Sequence, residues 1–160
     1  MGVEGMLSYN FDIEDDEQQA IAHYFELHRI AAVKLTRPEI GRTIIEALRR
    51  LNGQQYLLFD YTILPDHVRF IIKSLDSPQG RPWPLRTLLQ SVAAYSAKRI
   101  NELLEREGQF WSSTVKHTAL RYDREYQERA REMWELPKLW KLVADPERWP
   151  WWGNGKDQWG

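Results

Sequence analysis

The sequence has no cysteine, which excludes disulfides, zinc–thiolate sites and cysteine catalysis in one step. It also lacks a dominant charge: 22 basic and 23 acidic side chains leave a formal −1, so no global basic surface draws the domain to nucleic acid and any such contact must be local. No apolar run approaches the ~20 residues of a membrane-spanning helix, and the N-terminal segment is acidic rather than basic and then apolar. Glycine-rich phosphate loops are missing, since Gly41, Gly53 and Gly80 stand alone, and no serine sits in a nucleophile elbow. These absences leave the reducing cytoplasm as the expected setting and no membrane as partner.

What is present is unevenly placed. The first nineteen residues carry Glu4, Asp12, Glu14, Asp15, Asp16 and Glu17 and no Lys or Arg, which reads as an acidic, flexible leader over 1–19. A single domain is expected over 20–145, long enough to bury about two-thirds of its unfolded surface. Four of the eight tryptophans, Trp149, Trp151, Trp152 and Trp159, crowd the segment 146–160; a tail folded back on the core explains them more simply than base stacking. Acids interleave with Lys98, Arg99, Arg121, Arg124, Arg129 and Arg131, so most of these read as solvated helix faces, as do Glu102, Glu105 and Glu107.

Local patterns give the order of elements. Ala20 to Leu27 is apolar and aromatic enough for a buried strand. Thr36-Arg37-Pro38-Glu39 supplies a cap, a first-turn proline and a capping-box acid, followed by Ile40, Ile44, Ile45, Leu48 and Leu51 at helical spacing, with a stop near Asn52-Gly53. Tyr56 to Ile63 and His67 to Lys73 form a hairpin turning at Leu64-Pro65-Asp66. A helix runs from Leu85 to Glu107 and stops at Gly108; Val115 to Leu120 gives a fourth strand. Asp123 caps a last helix through Glu135, stopped by Pro137, with a short helical turn over Lys138 to Leu142 and irregular chain beyond Asp145-Pro146. The order is that of an α+β, ferredoxin-like split βαβ sheet with an added C-terminal helix. That plan hosts unrelated functions and assigns none by itself.

Three stretches carry a resemblance. Phe59-Asp60-Tyr61-Thr62-Ile63-Leu64-Pro65-Asp66-His67-Val68-Arg69-Phe70-Ile71-Ile72 is similar to the A-Y-V-x-M-P-N-H-x-H-x-L segment of REP-associated tyrosine transposases, a branch of the insertion-sequence-200-like HUH family. Tyr95-Ser96-Ala97-Lys98-Arg99-Ile100-Asn101 with Gly108-Gln109-Phe110-Trp111 resembles that family's helix and its G-x-x-W end. Asp145-Pro146-Glu147-Arg148-Trp149-Pro150-Trp151 resembles its D-P-x-x-W-P-W tail. The similarity spans about residues 20 to 152, in order.

The resemblance implies a single-strand DNA transposase or nickase. In the family, two histidines one residue apart and an Asn or Gln on the last helix hold Mg²⁺ or Mn²⁺, and a tyrosine one turn earlier forms a 5′-phosphotyrosine link. Here His67 matches the first histidine, but the second position is Arg69, which has no lone pair and is permanently charged. Counting back from Pro137 places Glu132 at the tyrosine position and Leu136 at the Asn position. The implied protein is a degenerate relative that binds single-stranded or hairpin DNA without cutting it. Arg69, Lys98, Arg99, Lys116, Arg121 and Arg124 would contact DNA, no metal or other cofactor is expected, and the monomer is preferred over the dimer. A structural or protein-interaction module on the same scaffold, or an active nickase with altered site residues, are the alternatives. A rescued nucleophile would have to be Tyr122 or Tyr126, and Tyr95 reads as a core contact. His23, His28 and His117 show no paired ligand spacing and read as structural.

Two geometric expectations follow. His67 and Arg69 share one face of a central strand, directed at the last helix, because strand side chains alternate. If Glu132 and Arg69 replace the tyrosine and the second histidine, they should form an ion pair in the same cleft.

Overall fold

The hairpin strand that carries His67 and Arg69 lies at the centre of a five-stranded antiparallel sheet. The computed structural model of the chain describes residues 20–159; the acidic leader falls outside them. Strands β1 (Ala22–His28), β2 (Tyr56–Ile63), β3 (His67–Ser74), β4 (Lys116–Leu120) and β5 (Trp152–Asn154) are ordered β4-β1-β3-β2-β5. Helices α1 (Pro38–Arg49), α2 (Leu85–Leu104) and α3 (Asp123–Leu139) connect them. The α+β class and the split βαβ order are those the sequence predicts.

Alternation along the strands divides the interior in two. One face presents Phe25, Leu27, Val68, Phe70 and Ile72 to α1 and α2, whose Ile40, Ile44, Leu48, Leu88, Leu89 and Ile100 complete the larger core. The other face presents Tyr24 and Ile71 to Tyr126 and Met133 of α3. His67 and Arg69 belong to this second face.

Several boundaries depart from the sequence reading for identifiable reasons. Thr36 is not the cap of α1: Arg37 precedes the helix without a side-chain cap, Pro38 takes the first turn, and Glu39 accepts from the Arg37 guanidinium at 2.7 Å instead of closing a capping box. That helix ends at Arg49, and Asn52 lies in the turn just beyond it, where its buried side-chain amide donates to Gly155 O at 2.8 Å and accepts from Leu58 N–H at 2.8 Å. Helix α2 ends at Leu104, where Glu105 turns left-handed (φ 51°). Pro137 does not stop α3, which runs through it to Leu139. A proline this near the end forfeits one hydrogen bond of the final turn, and its ring is buried.

The C-terminal segment is not irregular. It forms 3₁₀ turns at Pro146–Arg148 and Gly155–Gln158 around β5, which pairs with β2 through Asp60↔Asn154 and Thr62↔Trp152. Its tryptophans fold back on the body, as their crowding predicts. Trp149 Nε1 donates to Ile63 O at 3.2 Å, and Trp159 Nε1 reaches Asn52 Oδ1 at 3.2 Å. Trp151 lies so close to α1 that a Cβ on Gly41 would stand 2.5 Å from its ring, so only glycine fits there.

Candidate functional site

The face of the sheet beneath α3 gathers a polar cluster that no single segment encodes. Glu26 and His28 are two apart on β1 and so share a face, and the antiparallel register sets Glu26 opposite Arg69 and His28 opposite His67. On the other side of β1, Lys116 of β4 stands opposite Glu26. Tyr24 begins the same row, its hydroxyl donating to Glu26 Oε2 at 2.6 Å, while Glu26 Oε1 lies 3.2 Å from His28 Nε2.

His67 and Arg69 do share the face turned to the last helix. Arg69 Nε donates to His67 Nε2 at 2.9 Å, which requires that nitrogen to carry a lone pair. The proton therefore sits on Nδ1 and donates to Asp66 Oδ1 at 2.8 Å. Neutral His67 stacks on His28, ring centroids 4.4 Å apart, and meets Trp140 at the end of α3 at 5.4 Å. Burial lowers its pKa; the Asp66 hydrogen bond opposes this but does not outweigh it. Burial alone would raise the Glu26 carboxyl, yet the Tyr24 hydroxyl, Arg69 and His28 together hold it below the usual value.

The expected Arg69–Glu132 ion pair is not formed. The charge partner of Arg69 is Glu26, with Nη1 3.6 Å from Oε2 and side chains only 18% and 8% exposed. Glu132 is 64% exposed and pairs with Arg129 of its own helix at 3.6 Å. The face of α3 that meets the sheet is Tyr126, Ala130, Met133 and Pro137, so Glu132 points away and Leu136 is only partly buried. The residues α3 does bring to the cluster are Arg129, whose guanidinium lies 4.3 Å above the Tyr24 ring, and Trp140.

The remaining candidates scatter. Lys98 and Arg99 are on α2, across the sheet from Arg69, and Arg99 is held by Glu46 at 3.2 Å. Lys116 is exposed beside Glu26. Arg121 is exposed just beyond β4, and Arg124 is 86% exposed in an i, i+4 pair with Glu128. Tyr126 is buried and its hydroxyl donates to the Asp60 carboxylate, so burial and that bond raise its pKa and make it a poor nucleophile. Tyr122 is 66% exposed. Tyr95 packs against the larger core as expected, with Arg50 over its ring and its hydroxyl donating to Glu46 at the surface.

Sequence reasoning missed Tyr24, Glu26 and His28. Their signal is the Tyr-x-Glu-x-His alternation of β1, a polar row on an otherwise apolar strand. Nor are His23 and His117 isolated: their rings stack at 5.3 Å, with Nδ1 of one 3.2 Å from Nε2 of the other. Burial pushes His117 down to about 4 from its ordinary 6.5. Because the folded value is the lower one, the unfolded chain takes up the proton first. The stability that comes from burying His117 neutral is intact above pH 6.5 and is lost as pH falls toward 4. Wild type should lose about 1–2 kcal/mol across that window after solvent screening, and His117→Gln should lose clearly less in denaturation curves taken at each pH.

No family model matches this sequence, and no curated protein matches it. A solved structure does: a REP-associated tyrosine transposase bound to a REP hairpin, with a TM-score of 0.63 at 14% identity, over 83% of this chain and 76% of that one. The fold is transposase-like. At that identity the likeness is one of architecture. Where the resemblance would put a second histidine beside His67, Arg69 brings a guanidinium, which has no electron pair to give a cation.

Proposed function

We propose that this chain is a relative of the HUH tyrosine transposases that binds single-stranded or hairpin DNA as a monomer and does not cleave it. What supports the reading is a transposase-like fold, similar to that of a hairpin-bound transposase, in which Arg69 stands two residues after His67, where the resemblance puts a second histidine. Arg69, Arg129 and Lys116 on the α3 side of the sheet are the cations placed to meet phosphates, in a protein with no general excess of positive charge. No Mg²⁺ or Mn²⁺ takes part in strand scission, and the intact fold would work in the cytoplasm.

Two alternatives are weakened by particular contacts. A nickase using Tyr126 would have to free a buried hydroxyl from Asp60. A protein-interaction module using the aromatic tail would find Trp149 and Trp151 packed on the body and β5 paired with β2, with Trp152 left 37% exposed.

The test is incubation of the full chain with labelled hairpin and single-stranded DNA in Mg²⁺ or Mn²⁺, read for both a mobility shift and a covalent adduct. A shift without an adduct is expected, with affinity falling on a log–log salt slope of about −0.7 per phosphate contact. Lys116→Ala should reduce the slope by roughly one contact, whereas Lys98→Ala, across the sheet, should leave it unchanged. A salt-independent response, or an adduct, would overturn the reading.

A further inference from the structure

We propose that Glu26, His28 and His67 form a binding site for a first-row transition-metal ion, zinc foremost, and that Arg69 is the internal cation this ion displaces. The site shares only His67 with the set the transposase family uses; its other two ligands come from β1.

The geometry is close to that of a bound ion. One ligand atom from each residue can be chosen so that all three lie within 4.8 Å of one another. Bonds of ~2.0–2.2 Å to a tetrahedral zinc place ligand atoms about 3.3 Å apart, and Glu26 Oε1 and His28 Nε2 already stand 3.2 Å from each other. His67 is the ligand that has to move: its ring is stacked on His28 at 4.4 Å and 8°, and must turn out of that stack for the two lone pairs to converge on one ion.

Each ligand is also oriented by a neighbour, as metal ligands require. The Tyr24 hydroxyl holds Glu26 Oε2 and so leaves Oε1 for the ion. Asp66 takes the Nδ1 proton of His67 and turns the Nε2 lone pair inward. Glu26 and His67 form the buried wall, with side chains 8% and 2% exposed, and His28, at 38%, is the route in from solvent. Two imidazoles and one carboxylate are a donor set suited to Zn²⁺ or Co²⁺ and poorly suited to Mg²⁺, which demands oxygen ligands and octahedral geometry.

Arg69 explains how the site is arranged without an ion. Its guanidinium spans two of the three ligands, through Nε on His67 Nε2 at 2.9 Å and Nη1 3.6 Å from Glu26, and supplies positive charge where the metal would. An entering ion takes His67 Nε2 from Arg69 and His28 Nε2 from Glu26, releasing the Nε2 proton of His28 to solvent or to its Nδ1, so its affinity is set against both hydrogen bonds, against that proton and against charge repulsion. The sequence-level expectation of no metal weighed His67 against Arg69 alone; the strand register adds the other two donors.

Co²⁺ titration of the full chain, followed by visible d–d absorption, tests this without reference to any activity. Wild type should give a saturable band of a low-coordinate site, displaced by Zn²⁺. His28→Ala, at a half-exposed position that leaves the fold intact by circular dichroism, should abolish it. Arg69→Met should show the same band at about tenfold lower cobalt, and where that variant is poorly folded, the rise in wild-type melting temperature with Zn²⁺, absent in His28→Ala, carries the comparison. No saturable band in wild type, or a band that survives His28→Ala, overturns the site. Equal affinity in folded Arg69→Met and wild type overturns the role assigned to Arg69.

Discussion

Replacing Arg69 with methionine, measured in the presence of a chelator, should destabilise the protein by about 2–4 kcal/mol. The change leaves Glu26 as a buried carboxylate without its cation and His67 Nε2 without its donor. Glu26→Gln alone should cost about 1–3 kcal/mol, since the guanidinium is then the uncompensated charge. The double variant should lose less than the sum of the two, because each single change already forfeits the shared interaction. Glu132→Gln is the control: that side chain is 64% exposed and pairs with the neighbouring Arg129 of its own helix, so its effect should stay within about 0.5 kcal/mol. Urea denaturation of the four proteins completes the cycle. Additive losses from Arg69 and Glu26, or a large loss from Glu132, would show that the charge partner has been misassigned.

Asp60→Ala should cost about 3–4 kcal/mol. The Asp60 carboxylate, buried on β2, accepts from the Tyr126 hydroxyl of α3 and from Asn154 Nδ2 of β5 at 2.9 Å. One side chain therefore fastens both the last helix and the last strand to the sheet, and its removal strands two donors, at about 1–3 kcal/mol for each that is buried and left unpaired. Tyr126→Phe removes only one of the two bonds and should cost about 1–2 kcal/mol. Hydrogen exchange should show where the damage falls: amides of β5 open faster in Asp60→Ala, and much less so in Tyr126→Phe. If β5 stays as protected in Asp60→Ala as in wild type, the strand is held by its tryptophans instead.

Arg69 and Asp60 illustrate why the candidate site was only partly legible. His67 and Arg69 could be placed on one face because strand alternation is local, and that placement holds in the fold. Their partners could not be named, because a helix position counted back from Pro137 assumes that the proline marks the helix end. The helix continues past it, Tyr126, Met133 and Pro137 take the inward stripe, and Glu132 is left in solvent. The same limit hid the role of Tyr126, whose acceptor lies 66 residues away in sequence.

By itself the sequence determined the α+β class, the order of strands and helices, the hairpin turn at Leu64–Asp66 and the return of the tryptophan-rich tail to the body. These follow from periodicity, turn residues and apolar content, all of which act over a few neighbouring residues. Tertiary structure alone decided that Glu26 faces Arg69, that His28 stacks on His67, that Lys98 and Arg99 lie across the sheet from them, and that the tail ends as a fifth strand. Each of these depends on strand register or on which face a helix covers. Register is fixed by the summed burial of both cores, a property of the whole fold that no local stretch of sequence contains.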